Sequence, residues 1–171
     1  MTQARTQPPP ADAHATYGEM ALRETPRLFA LAMTITRSPA EAEDVLQETL
    51  LSAWQSWGRL RDPTRLSPWL TRICVNKCLE SARRERRAWR LLQSKAKQPI
   101  PPSAVEFIGE LLDFDRAFAR LSPPQRAVFA LHVHHGYTLT ECAGHMGCRP
   151  GTARSHLARA VASLRRDIPY A

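Results

Sequence analysis

The sequence predicts an all-α protein built as two small helical domains. Three observations carry this: apolar residues recur at three- and four-residue intervals along most of the chain, no segment alternates strictly between apolar and polar, and fourteen prolines against seven glycines fall mainly as breaks between periodic segments. With 171 residues there is room for one or two domains. Twenty-four Lys and Arg against sixteen Asp and Glu leave a formal charge of +8, which favours a polyanionic partner, either nucleic acid or an anionic membrane surface. No apolar run approaches the roughly eighteen residues of a spanning helix, and the opening MTQARTQPPPADAHATYG lacks the apolar core of a signal peptide. The expected location is cytoplasmic.

Residues 1–15 are polar and proline-bearing, carry no motif and are expected to be disordered. A first helix follows from about Thr16 to Thr36, with Leu28, Leu31, Ala32 and Ile35 as its inner face; Pro26 either kinks it or marks its start. Ser38, Pro39 and Glu41 then combine a cap, a first-turn proline and the acid of a capping box. The helix they start, about Pro39 to Trp57, sets Ala42, Val45, Leu46, Thr49, Leu50, Ala53 and Trp57 on one side. On the other lie Glu41, Asp44, Gln47, Glu48 and Leu51. An acidic face on a basic protein is either simply solvated, as most charged faces are, or a docking surface for a basic partner other than DNA, whose phosphates it would repel.

The loop GRLRDPTRL, Gly58 to Leu66, holds three arginines, and Ser67 with Pro68 is expected to start a third helix, about Pro68 to Leu92. Leu70, Cys74, Val75, Cys78, Leu79 and Ala82 form its apolar side. Trp69, Ile73, Asn76, Lys77, Glu80, Arg83, Arg84 and Arg87 fall opposite. This second face mixes an aromatic ring, an amide and guanidinium groups, which is what separated DNA strands need: bases stack on planar groups while cations hold the phosphates. Spacing alone allows equally that Trp69 and Ile73 belong to the core and that the arginines are a solvated helix end. The run Arg83 to Lys97 has seven cations against the single acid Glu85, a natural electrostatic anchor for nucleic acid.

A proline-rich break, QPIPPS, places the domain boundary near Gln98 to Pro102, so that residues 16–92 and 104–168 form the two domains and 93–103 the linker. Ser103 and Glu106 cap a helix bearing Val105, Ile108, Leu111, Leu112 and Phe118. Ser122, Pro123 and Pro124 start another, with Val128, Phe129 and Leu131, ending at Gly136. The stretch TLTECAGHMGCRPGTARSHLARAVASL, Thr138 to Leu164, then reads as a helix-turn-helix. Thr138 and Glu141 form a capping box, Gly147 suits a left-handed helix end, and Pro150 suits the first position of the next helix. In that last helix Ala153, Leu157, Ala160, Val161 and Leu164 make an apolar stripe, while Arg154, Ser155, His156, Arg159 and Arg165 fall largely off it. A major groove admits and reads such a helix; a helical hairpin with a solvated basic face is the plainer alternative.

Four cysteines, Cys74, Cys78, Cys142 and Cys148, fit no disulfide scaffold and are expected to be thiols. Cys142, His145 and Cys148, with His132, His134 and His135 upstream, have spacing that tetrahedral zinc would accept. Burial in the helix-turn-helix explains the two cysteines more simply, and no metal or other cofactor is expected. No glycine-rich phosphate loop or nucleophile constellation is present, so no enzymatic activity is expected.

These residues carry a resemblance. DVLQETLLSAW, Asp44 to Trp54, followed by WLTRICVNKCLESARRERR, Trp69 to Arg87, resembles region 2 of the sigma-70 family, and Leu121 to Arg165 resembles region 4. Two regions joined by a short linker are similar to the extracytoplasmic-function (ECF) sigma factors. The resemblance covers about Leu28 to Ile168. It implies binding to the bacterial RNA polymerase core, at the β′ clamp helices and β flap, and recognition of promoter DNA. The D-x-x-Q-E pattern that docks on the clamp helices falls on Asp44, Gln47 and Glu48. The minus-10 role falls on Trp69, Asn76, Lys77, Arg83, Arg84 and Arg87, and the minus-35 role on Arg149, Thr152, Arg154, Ser155, His156 and Arg159. His156 stands where the family often has Arg, Arg149 where a Ser-like cap is usual, and no Phe-Arg-Gly type of sequence precedes Trp69. Many members of the family are held by an anti-sigma protein. The alternative is a stand-alone transcription regulator that binds a palindrome as a dimer.

Overall fold

The computed structural model describes residues 11–60, 62–92 and 109–168, which form seven α-helices and no strand. They are α1 (Ala11–Thr36), α2 (Pro39–Ser56), α3 (Leu66–Leu92), α4 (Gly109–Ala119), α5 (Pro123–Phe129), α6 (Leu139–Met146) and α7 (Pro150–Asp167). The first helix reaches into the segment expected to be disordered. Helix α1 starts at Ala11, and alanines at 11, 13 and 15, the best helix formers, account for the early start. Residues 1–10, the expected linker 93–103 and the expected cap at Ser103 and Glu106 lie outside the described residues. Pro26 lies inside α1, so it does not mark the start of that helix.

Capping chemistry sets most boundaries. Helix α1 ends at Arg37, a non-glycine residue at φ +63° whose N–H donates to Met33 O at 2.8 Å. Only half of the expected box opens α2: Ser38 Oγ accepts from Glu41 N–H at 3.3 Å, whereas Ser38 N–H turns to Thr36 Oγ1 at 3.4 Å. Helix α3 begins at Leu66, ahead of the expected Ser67–Pro68 start. Its entry is made by Asp62, whose carboxylate accepts from Thr64 N–H at 2.9 Å and from the Thr64 hydroxyl at 2.6 Å, leading into a 3-10 turn at Pro63–Arg65. Gln125 Oε1 accepts from Ser122 N–H at 2.7 Å to start α5. A π-helical turn, Ala130–His134, follows α5; His135 N–H bonds Ala130 O at 3.1 Å, and Gly136 at φ +69° redirects the chain.

Helices α1, α2 and α3 pack against one another, and Leu28, Leu31, Ala32 and Ile35 are buried as the spacing predicts. The second half does not keep a core wholly of its own. One buried cluster runs from α1–α3 into Ala127, Val128, Leu131, Cys142, Ala143 and Met146, leaving a smaller cluster, Ala117, Phe118, Leu121, Ala160 and Leu164, between α4, α7 and the turn before α5. The two helical domains therefore meet across an apolar seam. Leu131 is fully buried in the shared cluster, so Leu131→Ala is expected to cost about 2–5 kcal/mol through lost transfer energy and a cavity. All four tryptophans, Trp54, Trp57, Trp69 and Trp89, lie in the first helical domain, within or beside α2 and α3. Urea unfolding followed by tryptophan fluorescence should nonetheless register this second-half substitution as a lower midpoint; an unchanged midpoint would mean the halves unfold independently.

Candidate functional site

The acidic face of α2 is built as its spacing predicts. Ala42, Val45, Thr49 and Ala53 are buried, which turns Asp44 and Gln47 out to solvent. Neither makes a side-chain hydrogen bond or ion pair among the described residues. Leu51, 57% exposed, extends the same stripe with an apolar side chain. Glu48 differs: Oε2 lies 3.4 Å from Lys77 Nζ and Oε1 lies 3.7 Å from Arg84 Nη2. The carboxylate thus holds two of the α3 cations expected on DNA. Glu48 and Lys77 are half-buried and Arg84 is exposed, so both pairs remain open to water; such pairs are individually worth about 1 kcal/mol and can be exchanged for another partner.

On α3 the two open readings divide by residue. Trp69 and Ile73 are half-buried against the core, and the Trp69 ring meets Trp57 edge-on at 6.4 Å in an aromatic run that includes Tyr17. Asn76 is half-buried, and its amide donates to Arg72 O at 2.7 Å and to His145 O at 3.1 Å. Arg83, Arg84 and Arg87 are exposed and border a groove with Asn76 and Glu80. Arg83 Nε donates to Leu79 O at 3.0 Å, which leaves its terminal nitrogens for other acceptors.

The helix-turn-helix forms as its local chemistry dictates. Thr138 Oγ1 accepts from Glu141 N–H at 3.3 Å, while Glu141 Oε2 accepts from the Thr138 hydroxyl at 2.7 Å and from Thr138 N–H at 2.8 Å, and these last two bonds, the hydroxyl's first, hold the Glu141 carboxyl below its usual range. Gly147 takes φ +63° and ψ 36°. Arg149 occupies the N-cap of α7 without a side-chain bond; Pro150 removes one of the amides that would need a partner. With Ala153 buried, Arg149, Thr152, Arg154, Ser155 and Arg159 are exposed together along one side of α7. Ser155 Oγ donates back to Gly151 O at 2.9 Å. His156 is half-buried, and burial first, then Arg159, lowers its pKa, so this position offers a neutral imidazole at pH 7.

Two separate stretches match family models: residues 20–88 match Sigma-70 region 2, and residues 111–164 match Sigma-70, region 4. The ECF RNA polymerase sigma factor SigM of Mycobacterium tuberculosis is 31% identical over 154 residues, covering 90% of this chain and 78% of the relative. The chain belongs to the ECF sigma factors of the sigma-70 family. SigL of the same organism is 33% identical over 146 residues, covering 81% of this chain and 80% of its own. Among solved structures, the sigma factor RpoE in complex with the anti-sigma factor NepR from Bartonella quintana is similar with a TM-score of 0.69 at 25% identity, covering 89% of this chain and 96% of RpoE. CnrH, in complex with the cytosolic domain of CnrY, is similar with a TM-score of 0.60 at 25% identity, over 90% of this chain and 87% of that one. The acidic stripe and the mixed face of α3 both lie in the region 2 match, which a stand-alone dimeric regulator leaves unexplained.

The region 4 thiols are held protonated. Cys142 is buried with its Sγ donating to Tyr137 O at 3.7 Å; burial pushes its thiol up to about 11 and raises that of Cys148. The His145 ring packs edge-on against Tyr137 at 4.5 Å. Among the described residues no group of three His, Cys, Asp or Glu is placed to hold a metal ion, and no helix is long and apolar enough to cross a membrane. Sequence reasoning missed Arg126, which is buried at 8% exposure with Nε donating to Ile35 O at 2.7 Å. Its one signal was a lone cation within the apolar run of PPQRAVFAL.

Proposed function

We propose that this chain binds the RNA polymerase core through α2 and directs it to promoters, α3 reading and helping to open the minus-10 element while α7 reads the minus-35 element. The observation that carries the reading is the order of two independent family matches, region 2 and then region 4, on one chain. The exposed Asp44 and Gln47 stripe suits a basic protein surface such as the β′ clamp helices, and the β flap is a second contact of core in this reading. On α3, the guanidinium groups of Arg83, Arg84 and Arg87 hold phosphates of separated strands while Asn76 and Trp69 meet bases, offsetting an unstacking cost of a few kcal/mol per flipped base. On α7, the exposed cationic side enters the major groove.

Binding performs every step, with no covalent chemistry, and the work on polymerase and DNA places the protein in the cytoplasm. An anti-sigma protein is a further partner of this reading, as NepR is of the similar RpoE. Run-off transcription on fragmented genomic DNA tests it, comparing bacterial core polymerase alone with core plus this chain. Discrete new start sites that share two spaced upstream elements are expected. No new transcripts, with the chain instead gripping duplex DNA unaided, would overturn the reading.

A further inference from the structure

A cavity of about 270 Å³ lies between α3 on one side and, on the other, the α6–α7 turn with the start of α5. Leu79 and Met146, both buried, form its apolar floor. Its rim is cationic, because Arg83 and Arg86 stand three residues apart on α3, share a face and are exposed. Among the described residues no carboxylate lines it. Both guanidinium groups keep donors in reserve. Arg83 uses only Nε, on Leu79 O at 3.0 Å, and Arg86 makes no side-chain hydrogen bond or ion pair among the described residues. The Arg86 charge is felt at buried Arg126, whose pKa is lowered to about 10 by burial first, then by Arg37 and by Arg86, with Glu41 opposing.

Two further side chains complete the wall. Cys148, in the turn, is the half-buried one of the four thiols, the other three being buried. His156 has a buried Nδ1 with no hydrogen-bond partner, an unmet polar atom of a kind that folded chains keep few of. Buried apolar surface with a few convergent polar groups is what small-ligand sites share, and this volume sits near their lower end of about 300 Å³. A bare phosphate, free or on DNA, would meet the two guanidinium groups and cover none of the floor. An uncharged apolar molecule would cover the floor and leave the cations unmet. An acid group on a short ring or chain does both, and its contacts with guanidinium are charge-assisted.

We propose that this cavity binds a small organic anion, its acid group held by Arg83 and Arg86 and its apolar body laid on Leu79 and Met146 beside Cys148. The site stands on the cavity and not on the sigma-factor reading. Its consequence does rest on that reading: Arg83 also borders the groove shared with Arg84 and Arg87, so an occupant draws on a cation that minus-10 DNA would otherwise hold.

The test uses the full chain and three probes: 1-naphthoate, with acid and body; 1-naphthylmethanol, with the body alone; and inorganic phosphate. Calorimetry is expected to give 1-naphthoate a Kd of about 1 mM or tighter and the other two values at least about tenfold weaker. Iodoacetamide labelling locates the site, since an occupant beside Cys148 shields its thiol. At about ten times its Kd, 1-naphthoate is expected to slow Cys148 labelling about tenfold. Arg86→Gln, at an exposed position, is expected to weaken 1-naphthoate about five- to tenfold and to leave 1-naphthylmethanol unchanged. Arg84→Gln makes the same charge change outside the cavity and is expected to leave both unchanged. Equal weakening in the two variants, or Cys148 labelling indifferent to 1-naphthoate, would overturn the site. Phosphate bound as tightly as 1-naphthoate would overturn the organic body. Absence of run-off transcripts is a separate failure, that of the sigma reading, because calorimetry and labelling involve neither DNA nor polymerase.

Discussion

A chain carrying both Asp44→Ala and Gln47→Ala is expected to bind core RNA polymerase at least tenfold more weakly than wild type, with its helical content and its affinity for a minus-35 duplex unchanged. Both side chains are exposed on the same stripe of α2 and are bonded to nothing among the described residues. Their removal therefore costs the fold little, and alanine raises local helix propensity. Truncating two central contacts of an interface removes about 1–2 kcal/mol each, and tenfold is about 1.4 kcal/mol. Glu48 is left out deliberately, because its loss would also release Lys77 and Arg84 and so alter DNA binding. Anisotropy titration of labelled chain with core measures the effect. Unchanged affinity would put the docking face elsewhere, and weakened binding together with lost helicity would make these residues structural.

What was legible in the sequence is what is decided locally. The capping box at Thr138 and Glu141, the left-handed Gly147 and Pro150 specify the helix-turn-helix within a dozen residues, and each forms as read. The inner faces of α1 and α2 were equally plain, because burial there follows helical spacing. Contacts made across the seam were not legible. Arg126 bonds a carbonyl 91 positions away and Asn76 one 69 positions away, and no local periodicity announces a partner at that distance. Reading Asn76 only as a DNA contact was thus incomplete, since the same amide is held by region 4. The mixed face of α3 stayed ambiguous for a related reason: Trp69 lies at the edge of the aromatic run from Tyr17 through Trp57, half in the core and half out.

Arg154→Ala is expected to weaken transcription from promoters that depend on their minus-35 element by about 10- to 100-fold and to leave core assembly intact. Arg154 follows buried Ala153 near the start of α7, is exposed, and has no ion pair among the described residues. Its guanidinium is therefore available for a base edge, where a bidentate contact discriminates by about 1–3 kcal/mol. Run-off from a promoter whose minus-35 element has been scrambled should not distinguish variant from wild type, because the contact being removed is then already absent. Arg154→Lys separates two roles for the same charge. A lysine restores attraction to phosphate yet cannot reproduce the planar fork, so it should recover part of the affinity and almost none of the discrimination. Full recovery by lysine, or equal weakening on every sequence with a shallower salt dependence, would reassign Arg154 from a base contact to a phosphate contact and leave sequence reading to its neighbours Thr152 and Ser155.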